Sequence, residues 1–225
     1  MKKLVIFGSD QMAEVAAHYF KTEGRYQVSA FSVDGAYIKS NELFGKPVIA
    51  FEDLEKHYSP DDADVFIAIG YRKMNRIREA KFNEAKKRGY YLPSYICPSL
   101  TTKGENLDQT LPTFGENCFV LGGNHFAPFT SVGDGATLWF SNLIGHHVQI
   151  GKHCYLSGQV TIAGGTILEN RCFAGMHASI SDGLVIGEGT LIGAHTFVSK
   201  STKPGEIYAI SGMEPRKARA ESVDF

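Results

Sequence analysis

Four cysteines and eight histidines are the side chains of this 225-residue chain best suited to nucleophilic, base or metal-ligand chemistry. The cysteines stand at positions 97, 118, 154 and 172 and form no Cys-x-x-Cys pair, which argues against a zinc site or a disulfide framework. Cys118, Cys154 and Cys172 differ by multiples of 18, a spacing that returns below as a structural repeat. The spacing favours inert, buried thiols and predicts no metal site.

A glycine follows the first apolar run of the chain. Leu4–Phe7 leads into Gly8, Ser9 and Asp10, the place where a strand would turn into a helix. The turn glycine is present, but the second and third glycines of a dinucleotide fingerprint are missing, so NAD binding is only weakly indicated. Two readings stay open: a turn that simply needs glycine, or a helix N-terminus that faces the phosphates or sugar of a nucleotide.

Strand and helix patterns alternate over the first 95 residues. Strand-like runs occupy residues 3–8, 27–34, 47–50, 63–70 and 91–96, and helical patterns occupy 11–20 and 75–88. Strands separated by helices indicate a parallel sheet covered on both faces, so we predict a small Rossmann-like unit. Ligands bind such sheets at the carboxyl ends of the strands.

A six-residue repeat dominates the second half of the chain. Every sixth residue from Phe114 to Val198 is apolar, fifteen positions in all, and only 8 of the 47 charged residues fall between 114 and 200. A strict period of this kind predicts a β-solenoid. Three hexads would close one triangular coil, so residues 18 apart stack on adjacent coils. The same arithmetic places Cys118, Cys154 and Cys172 in one inward column of small buried residues.

The overall charge excludes some partners. Twenty-three basic residues against 24 acidic residues leave a formal charge of −1, too little for a nucleic-acid or membrane-surface partner. No apolar run approaches the roughly 18 residues of a membrane span, and the amino terminus lacks a secretory signal pattern. We therefore expect a cytoplasmic protein whose partner is a small molecule.

The hexads, together with the opening Leu4–Asp10, resemble the bacterial left-handed β-helix acyltransferases, in particular the nucleotide-sugar N-acetyltransferase and sialic acid O-acetyltransferase group. The resemblance implies a sugar-nucleotide-binding domain over 1–95, a left-handed parallel β-helix acyltransferase domain over 96–203 and a tail over 204–225. It implies a homotrimer with active sites between subunits that transfers an acetyl group from acetyl-CoA to the amine of a nucleotide-linked amino-deoxysugar. Alternatives are a sialic-acid-type O-acetyltransferase and a non-catalytic sugar-nucleotide-binding trimer.

The resemblance also implies catalytic residues. The family's catalytic histidine lies in a segment similar to residues 144–151, which makes His146 the expected general base. His147 stands where the family often has an acidic residue, so it could orient His146 only as a neutral hydrogen-bond partner. Adding 18 residues to His146 gives Gly164, whose N–H is the expected donor to the oxyanion of the intermediate.

Binding residues carry over by position. Those expected to contact acetyl-CoA are Tyr155, Gly164, Met176, Ala194, Lys200 and Arg216, and those expected to contact the sugar nucleotide are Gly8, Ser9, Asp10, Asp34, Ile69 and Gly70. The spacing typical of β-helical carbonic anhydrases is absent. We therefore expect the histidines three residues after an apolar hexad position to lie at solvent-facing corners rather than to bind metal: His147, His153, His177 and His195.

Overall fold

The computed structural model describes residues 1–100, 111–210 and 212. Its first part is an α/β unit built from the following elements: β1 (Lys2–Phe7), α1 (Gln11–Glu23), β2 (Tyr26–Val33), β3 (Glu42–Leu43), β4 (Lys46–Ala50), α2 (Leu54–His57), β5 (Ala63–Ile67) and α3 (Arg76–Lys87). The strands form one sheet in the order β3-β4-β2-β1-β5, parallel except for the β3-β4 pair. The predicted Rossmann-like unit is confirmed.

Local sequence explains where α1 begins and ends. The Asp10 carboxylate accepts a hydrogen bond from the Met12 N–H at 3.1 Å and so caps the first turn. Gly24 ends the helix in the left-handed conformation, at φ 79°, where a side chain would be strained. The buried face of α1, including Ala16 and Phe20, packs in one apolar cluster with Phe119 of the following domain. This helix is therefore sandwiched between its own sheet and the second domain.

The second part is a solenoid of two-residue strands: β6 (Tyr95–Ile96), β7 (Thr113–Phe114), β8 (Phe119–Val120), β9 (His125–Phe126), β10 (Ser131–Val132), β11 (Thr137–Leu138), β12 (Leu143–Ile144), β13 (Gln149–Ile150), β14 (Tyr155–Leu156), β15 (Thr161–Ile162), β16 (Ile167–Leu168), β17 (Phe173–Ala174), β18 (Ser179–Ile180), β19 (Val185–Ile186), β20 (Leu191–Ile192), β21 (Phe197–Val198) and β22 (Ile207–Tyr208). They form three parallel sheets. Face 1 holds β7, β10, β13, β16 and β19; face 2 holds β6, β8, β11, β14, β17, β20 and β22; face 3 holds β9, β12, β15, β18 and β21.

The register of these sheets follows the predicted step of 18 residues. Leu143 pairs with Thr161, and Thr137 pairs with Tyr155. The apolar hexad residues point inward and form one core together with the small residues four positions later. This is a left-handed parallel β-helix, as predicted. Within the described residues, no helix is both long enough and apolar enough to span a bilayer.

The cysteine column is also confirmed. Cys118, Cys154 and Cys172 are buried, and each thiol points at a backbone carbonyl of its coil. Burial raises the pKa of the Cys118 thiol to about 11 and raises that of Cys154 as well. Cys118 and Cys154 are therefore poor nucleophiles, and all three buried side chains pack as small core residues.

One predicted strand belongs elsewhere. The run at 91–96 was expected to extend the first sheet, but its only strand residues, Tyr95 and Ile96, pair with Phe119 and Val120 on face 2. The Tyr95 N–H donates to the Cys118 carbonyl at 2.9 Å. The apolar pattern correctly predicts a strand, but the pattern alone does not determine which sheet completes its hydrogen bonds.

Candidate active site

His146 and His147 lie side by side at the corner where face 3 turns into face 1, called here the 3–1 corner. Both side chains are exposed, and their Nδ1 atoms are 3.1 Å apart, a hydrogen bond between imidazoles. His147 has the left-handed conformation (φ 58°), and its ring packs on Phe129 at 4.7 Å between centroids. Within the described residues no carboxylate oxygen lies within ion-pair distance of either ring. Among the described residues, His147 is thus the side chain that is hydrogen-bonded to the His146 ring.

Gly164 lies directly against the His146 ring. A Cβ at Gly164 would come within 2.6 Å of both Cε1 and Nε2 of His146, so the ring could keep this position only beside glycine. The coils are joined at this point by a 2.8 Å hydrogen bond from the Gly165 N–H to the His146 carbonyl. In the part of the chain that is described, the Gly164 N–H donates to no protein acceptor. The corner therefore presents an imidazole beside a free backbone donor.

The residues expected to bind acetyl-CoA divide between corners. Lys200 is exposed two residues beyond β21 of face 3, and so lies at the 3–1 corner, the same corner as His146. The neighbouring strand β18 leads to this corner one coil nearer to His146. Met176 and Ala194 are exposed at a different corner, where face 2 turns into face 3, beside the stacked rings of His177 and His195. Arg216 lies outside the described residues.

Tyr155 is packed inside its own subunit. Its ring is 6% exposed on face 2, stacked on Phe173 at 5.6 Å, and its hydroxyl accepts a hydrogen bond from the Trp139 indole N–H. Tyr71 of the first domain covers it with its own ring, at 5.0 Å between centroids. The structure therefore gives Tyr155 a packing role, and a contact with acetyl-CoA stays a prediction.

The residues expected to bind the sugar nucleotide meet at one edge of the first sheet. Gly8 follows β1, at φ 144°, and a Cβ there would lie 2.6 Å from the Ala68 carbonyl oxygen. Ser9 and Asp10 are exposed beside it at the N-terminus of α1. Backbone bonds from Gly8 to Ser32 and from Ala68 to Phe7 tie this edge together. Gly8 is required by close approach of the backbone, and Asp10 caps the helix.

The neighbouring strand ends complete this edge. Asp34 follows β2 and forms an ion pair with Lys81 of α3, which also contacts Glu84 at 2.8 Å. Ile69 and Gly70 follow β5 and are half-buried. The six predicted residues thus lie on three adjacent strand ends, the position at which parallel sheets bind ligands.

The sequence predicts that His153 faces solvent, but in the structure it is buried. It is 2% exposed at the corner between faces 1 and 2, the 1–2 corner, where its ring packs against Phe82 of α3 at 5.2 Å. Burial, reinforced by the nearby Arg78 charge, lowers its pKa to about 4. The hexad places His153 at a corner correctly, but docking of the first domain covers that corner.

Sequence reasoning missed three residues. Arg78, 1% exposed, and Tyr71, whose ring packs on face 2, connect the two domains, and Lys81 pairs with Asp34 inside the first domain. Arg78 had one available signal: it lies four residues before the buried Phe82 and therefore on the apolar face of α3. A charge on that face indicates a buried polar contact but not its partner.

Comparison with known proteins supports both halves of the structure. Residues 3–85 match the family model of the PglD N-terminal domain. Among curated proteins, 2,3,4,5-tetrahydropyridine-2,6-dicarboxylate N-succinyltransferases match shorter segments: that of Xylella fastidiosa strain Temecula1 is 32% identical over 114 residues, and that of Methylorubrum extorquens is 31% identical over 105. These alignments cover 41% and 38% of this chain and the same shares of the relatives. The chain thus matches only about two fifths of their length.

Solved structures match nearly the whole chain. PerB from Caulobacter crescentus, in complex with CoA and GDP-perosamine, has a TM-score of 0.78 at 24% identity and covers 92% of this chain and 93% of its own. The acetyltransferase domain of PglB from Neisseria gonorrhoeae, in complex with acetyl coenzyme A, has a TM-score of 0.78 at 21% identity, with coverages of 92% and 95%. WeeI from Acinetobacter baumannii has a TM-score of 0.77 at 17% identity, with coverages of 92% and 96%.

The protein is thus a two-domain, hexapeptide-repeat β-helix protein. Its resemblance to the nucleotide-sugar N-acetyltransferases, first drawn from the hexads and the Leu4–Asp10 opening, is confirmed at the level of the fold.

Proposed function

We propose that this protein is an acetyl-CoA-dependent N-acetyltransferase acting on the amino group of a nucleotide-linked amino-deoxysugar. The observation that carries the proposal is the His146 ring lying against Gly164 at an exposed corner, a base beside an unused N–H donor. That pair suits acyl transfer, which needs a proton acceptor at the nucleophile and a donor at the developing oxyanion.

In this mechanism the neutral sugar amine attacks the thioester carbonyl directly. His146 accepts the amine proton at Nε2 as the C–N bond forms, and the Gly164 N–H donates to the carbonyl oxygen as it becomes an oxyanion. Acetyl-CoA supplies an activated acyl carbon: the C–S bond breaks when the intermediate collapses, and coenzyme A leaves as a thiol after taking up a proton.

His147 has the task of selecting the tautomer of His146. A base at Nε2 requires the His146 proton to be on Nδ1, where it is donated to the lone pair of His147 Nδ1, 3.1 Å away. His147 then carries its own proton on Nε2. A neutral imidazole in this way takes the orienting role that a carboxylate often has beside a catalytic histidine.

The acceptor sugar nucleotide is assigned to the carboxyl edge of the first sheet, at Gly8, Ser9, Asp10, Asp34 and the Ile69–Gly70 pair. The PglD N-terminal domain match over residues 3–85 supports this assignment, as does a similar structure, PerB, that holds CoA and GDP-perosamine. The α1 N-terminus lies at this edge, and a helix N-terminus attracts phosphate groups. Ser9 and Asp10 are exposed there to meet sugar hydroxyls.

The donor is assigned to the β-helix. The bounds expected from the sequence, 1–95, 96–203 and 204–225, are extended at both ends of the β-helix, because β6 begins at Tyr95 and β22 pairs with β20 on face 2. Met176, Ala194 and Lys200 are exposed and fit a long, partly apolar and negatively charged donor. Because Met176 and Ala194 are on a different corner from His146, we assign each active site to two neighbouring subunits of a homotrimer. A neighbour would bring the two corners together.

The test measures coenzyme A release with acetyl-CoA and a panel of UDP-, dTDP- and GDP-linked amino sugars, with hydroxyl-only analogues and a sialic acid as controls. We expect turnover with one class of amino sugar. His146→Ala should fold and bind both substrates, yet lose on the order of 10²–10⁴ in kcat. Unchanged kcat in that variant would place the base elsewhere, and transfer only to hydroxyl acceptors would favour the O-acetyltransferase.

A further inference from the structure

The carboxyl end of β5 is fastened to the β-helix by its backbone. The side chain of Asn117, a residue of the 1–2 corner, accepts a hydrogen bond from the Ile67 N–H at 2.7 Å and donates to the Ile67 carbonyl at 3.2 Å. Asn117 is buried, and its amide satisfies both backbone groups of Ile67, the last residue of β5. The loop that follows, Ile69–Tyr71, therefore leaves the first domain directly beside the second.

Arg78 holds this loop and the β-helix at the same time. Its Nη1 donates to the carbonyls of Ile69 and Gly70, at 3.3 and 3.2 Å. The other side of the guanidinium donates to β-helix carbonyls: Nε to Gly135 at 2.9 Å, and Nη2 to His153 at 2.8 Å and Cys154 at 3.2 Å. One planar group thus bridges the loop to two adjacent coils.

These contacts need an arginine. Every hydrogen bond of the Arg78 guanidinium goes to a neutral backbone carbonyl, and within the described residues no carboxylate pairs with it. Burial lowers its pKa to about 10, so the group stays charged at neutral pH. A lysine ammonium is a single point with three donors and cannot reach both sides of the gap, whereas the fork of arginine spans it.

The outer end of the loop has a second anchor. Tyr71 places its ring 5.0 Å from Tyr155 and 4.8 Å from Phe173, both on face 2, while 52% of its own surface stays exposed. The loop is therefore pinned to the β-helix at both ends. Because Arg78 belongs to α3 of the first domain, its guanidinium ties the loop to that domain as well as to the β-helix.

We propose that Arg78 and Tyr71 are positioning residues that hold the Ile69–Tyr71 loop, part of the acceptor edge, in register with the acyltransferring β-helix. The inference rests on the proposed function and deepens it. Attack on a thioester requires the amine to lie within about 3–3.5 Å of the carbonyl carbon, and a misplacement of about 1 Å can cost on the order of 100-fold in rate. When the ligand-binding edge of the first domain is fixed to the β-helix, the amine of the bound sugar keeps a constant position relative to the thioester.

The test compares Arg78→Lys with Asn75→Gly in the full-length protein. The Asn75 side chain, at the start of the same helix, donates to the Arg171 carbonyl at 3.1 Å, whereas its backbone N–H donates to the Tyr71 carbonyl, a bond that glycine keeps. Glycine also suits the Asn75 φ of 63°. We expect Arg78→Lys to lower kcat/KM for the sugar nucleotide by about 10- to 100-fold, with KM for acetyl-CoA changed less than about twofold. Asn75→Gly should lower Tm but leave kcat/KM within about threefold.

Hydrogen exchange of the peptide covering residues 67–76, which includes the hydrogen-bonded amides on both sides of the loop, gives a readout that does not require activity. It should accelerate in Arg78→Lys and stay near wild type in Asn75→Gly. If wild-type protein acetylates no amino sugar, the proposed function fails, and this exchange comparison still decides the role of Arg78. Equal kinetic losses in both variants, or equal exchange, would overturn the proposal by showing that Arg78 is only structural.

A second variant covers the case in which Arg78→Lys does not fold. Tyr71→Ala removes the half-exposed anchor of the same loop, and its exposure predicts that the variant folds. We expect the same pattern there: reduced kcat/KM for the sugar nucleotide, unchanged KM for acetyl-CoA and faster exchange over 67–76. Wild-type values for all three would overturn the proposal.

Discussion

The contact between His146 and His147 leads to a quantitative prediction about the His147 side chain. Replacing His147 with glycine removes the acceptor 3.1 Å from His146 Nδ1 but keeps a residue that is at ease in the left-handed conformation, φ 58°. The backbone can therefore keep its conformation when the hydrogen bond is removed.

The size of the effect follows from one hydrogen bond at an exposed site. Such a bond contributes about 0.5–1.5 kcal/mol, which corresponds to roughly 2- to 13-fold in rate if it is needed only to hold the reactive tautomer. We expect kcat of His147→Gly to fall by about tenfold at most, far less than in His146→Ala. KM for both substrates should stay near wild type, because the bond acts on the base rather than on a ligand.

The matched control is His147→Asn. Asparagine tolerates the left-handed conformation, and its side-chain oxygen can accept a hydrogen bond from the His146 Nδ1–H. Steady-state rates of coenzyme A release, with Tm as a check on folding, should place His147→Asn closer to wild type than His147→Gly. Equal rates in wild type and His147→Gly would refute the orienting role, and a loss as large as that of His146→Ala would mean that His147 itself handles a proton in the reaction.

Three further predictions concern the core, the 1–2 corner and the assembly. The buried column Cys118, Cys154 and Cys172 should react with a thiol reagent only on unfolding, and chelators should leave activity unchanged; rapid labelling of three thiols in native protein would contradict this. His153 has a folded pKa of about 4, below its unfolded value of about 6.5, so the unfolded chain binds the extra proton first. Stability should therefore fall by up to about 3 kcal/mol as pH drops from 6.5 to 4, and His153→Asn should flatten that dependence in denaturant titrations. Light scattering should give about three times the 24.7 kDa subunit mass, and a monomer at micromolar concentration would rule out the shared active site.

The sequence predicts turns and helix caps well, because the residues that form them are neighbours both in sequence and in space. The turn at Gly8 and the cap by Asp10 depend on atoms a few residues apart, and the structure has both. The β-helix extends the same advantage to long range, because each coil repeats after 18 residues. Because of that regularity, the sequence alone places Gly164 beside His146 and aligns the three cysteines.

The β-helix, its inward column and the α/β unit before it were determined by the sequence alone, because apolar periodicity records which side of a strand or helix is buried. The sequence did not determine what covers each outer face. Because the first domain docks on the 1–2 corner, His153 is buried and Arg78 donates to carbonyls 57 to 76 residues away. Tyr95 pairs with face 2 of the β-helix rather than with the first sheet. Contacts between domains follow no period. They depend on how two finished surfaces fit, which only the tertiary structure decides.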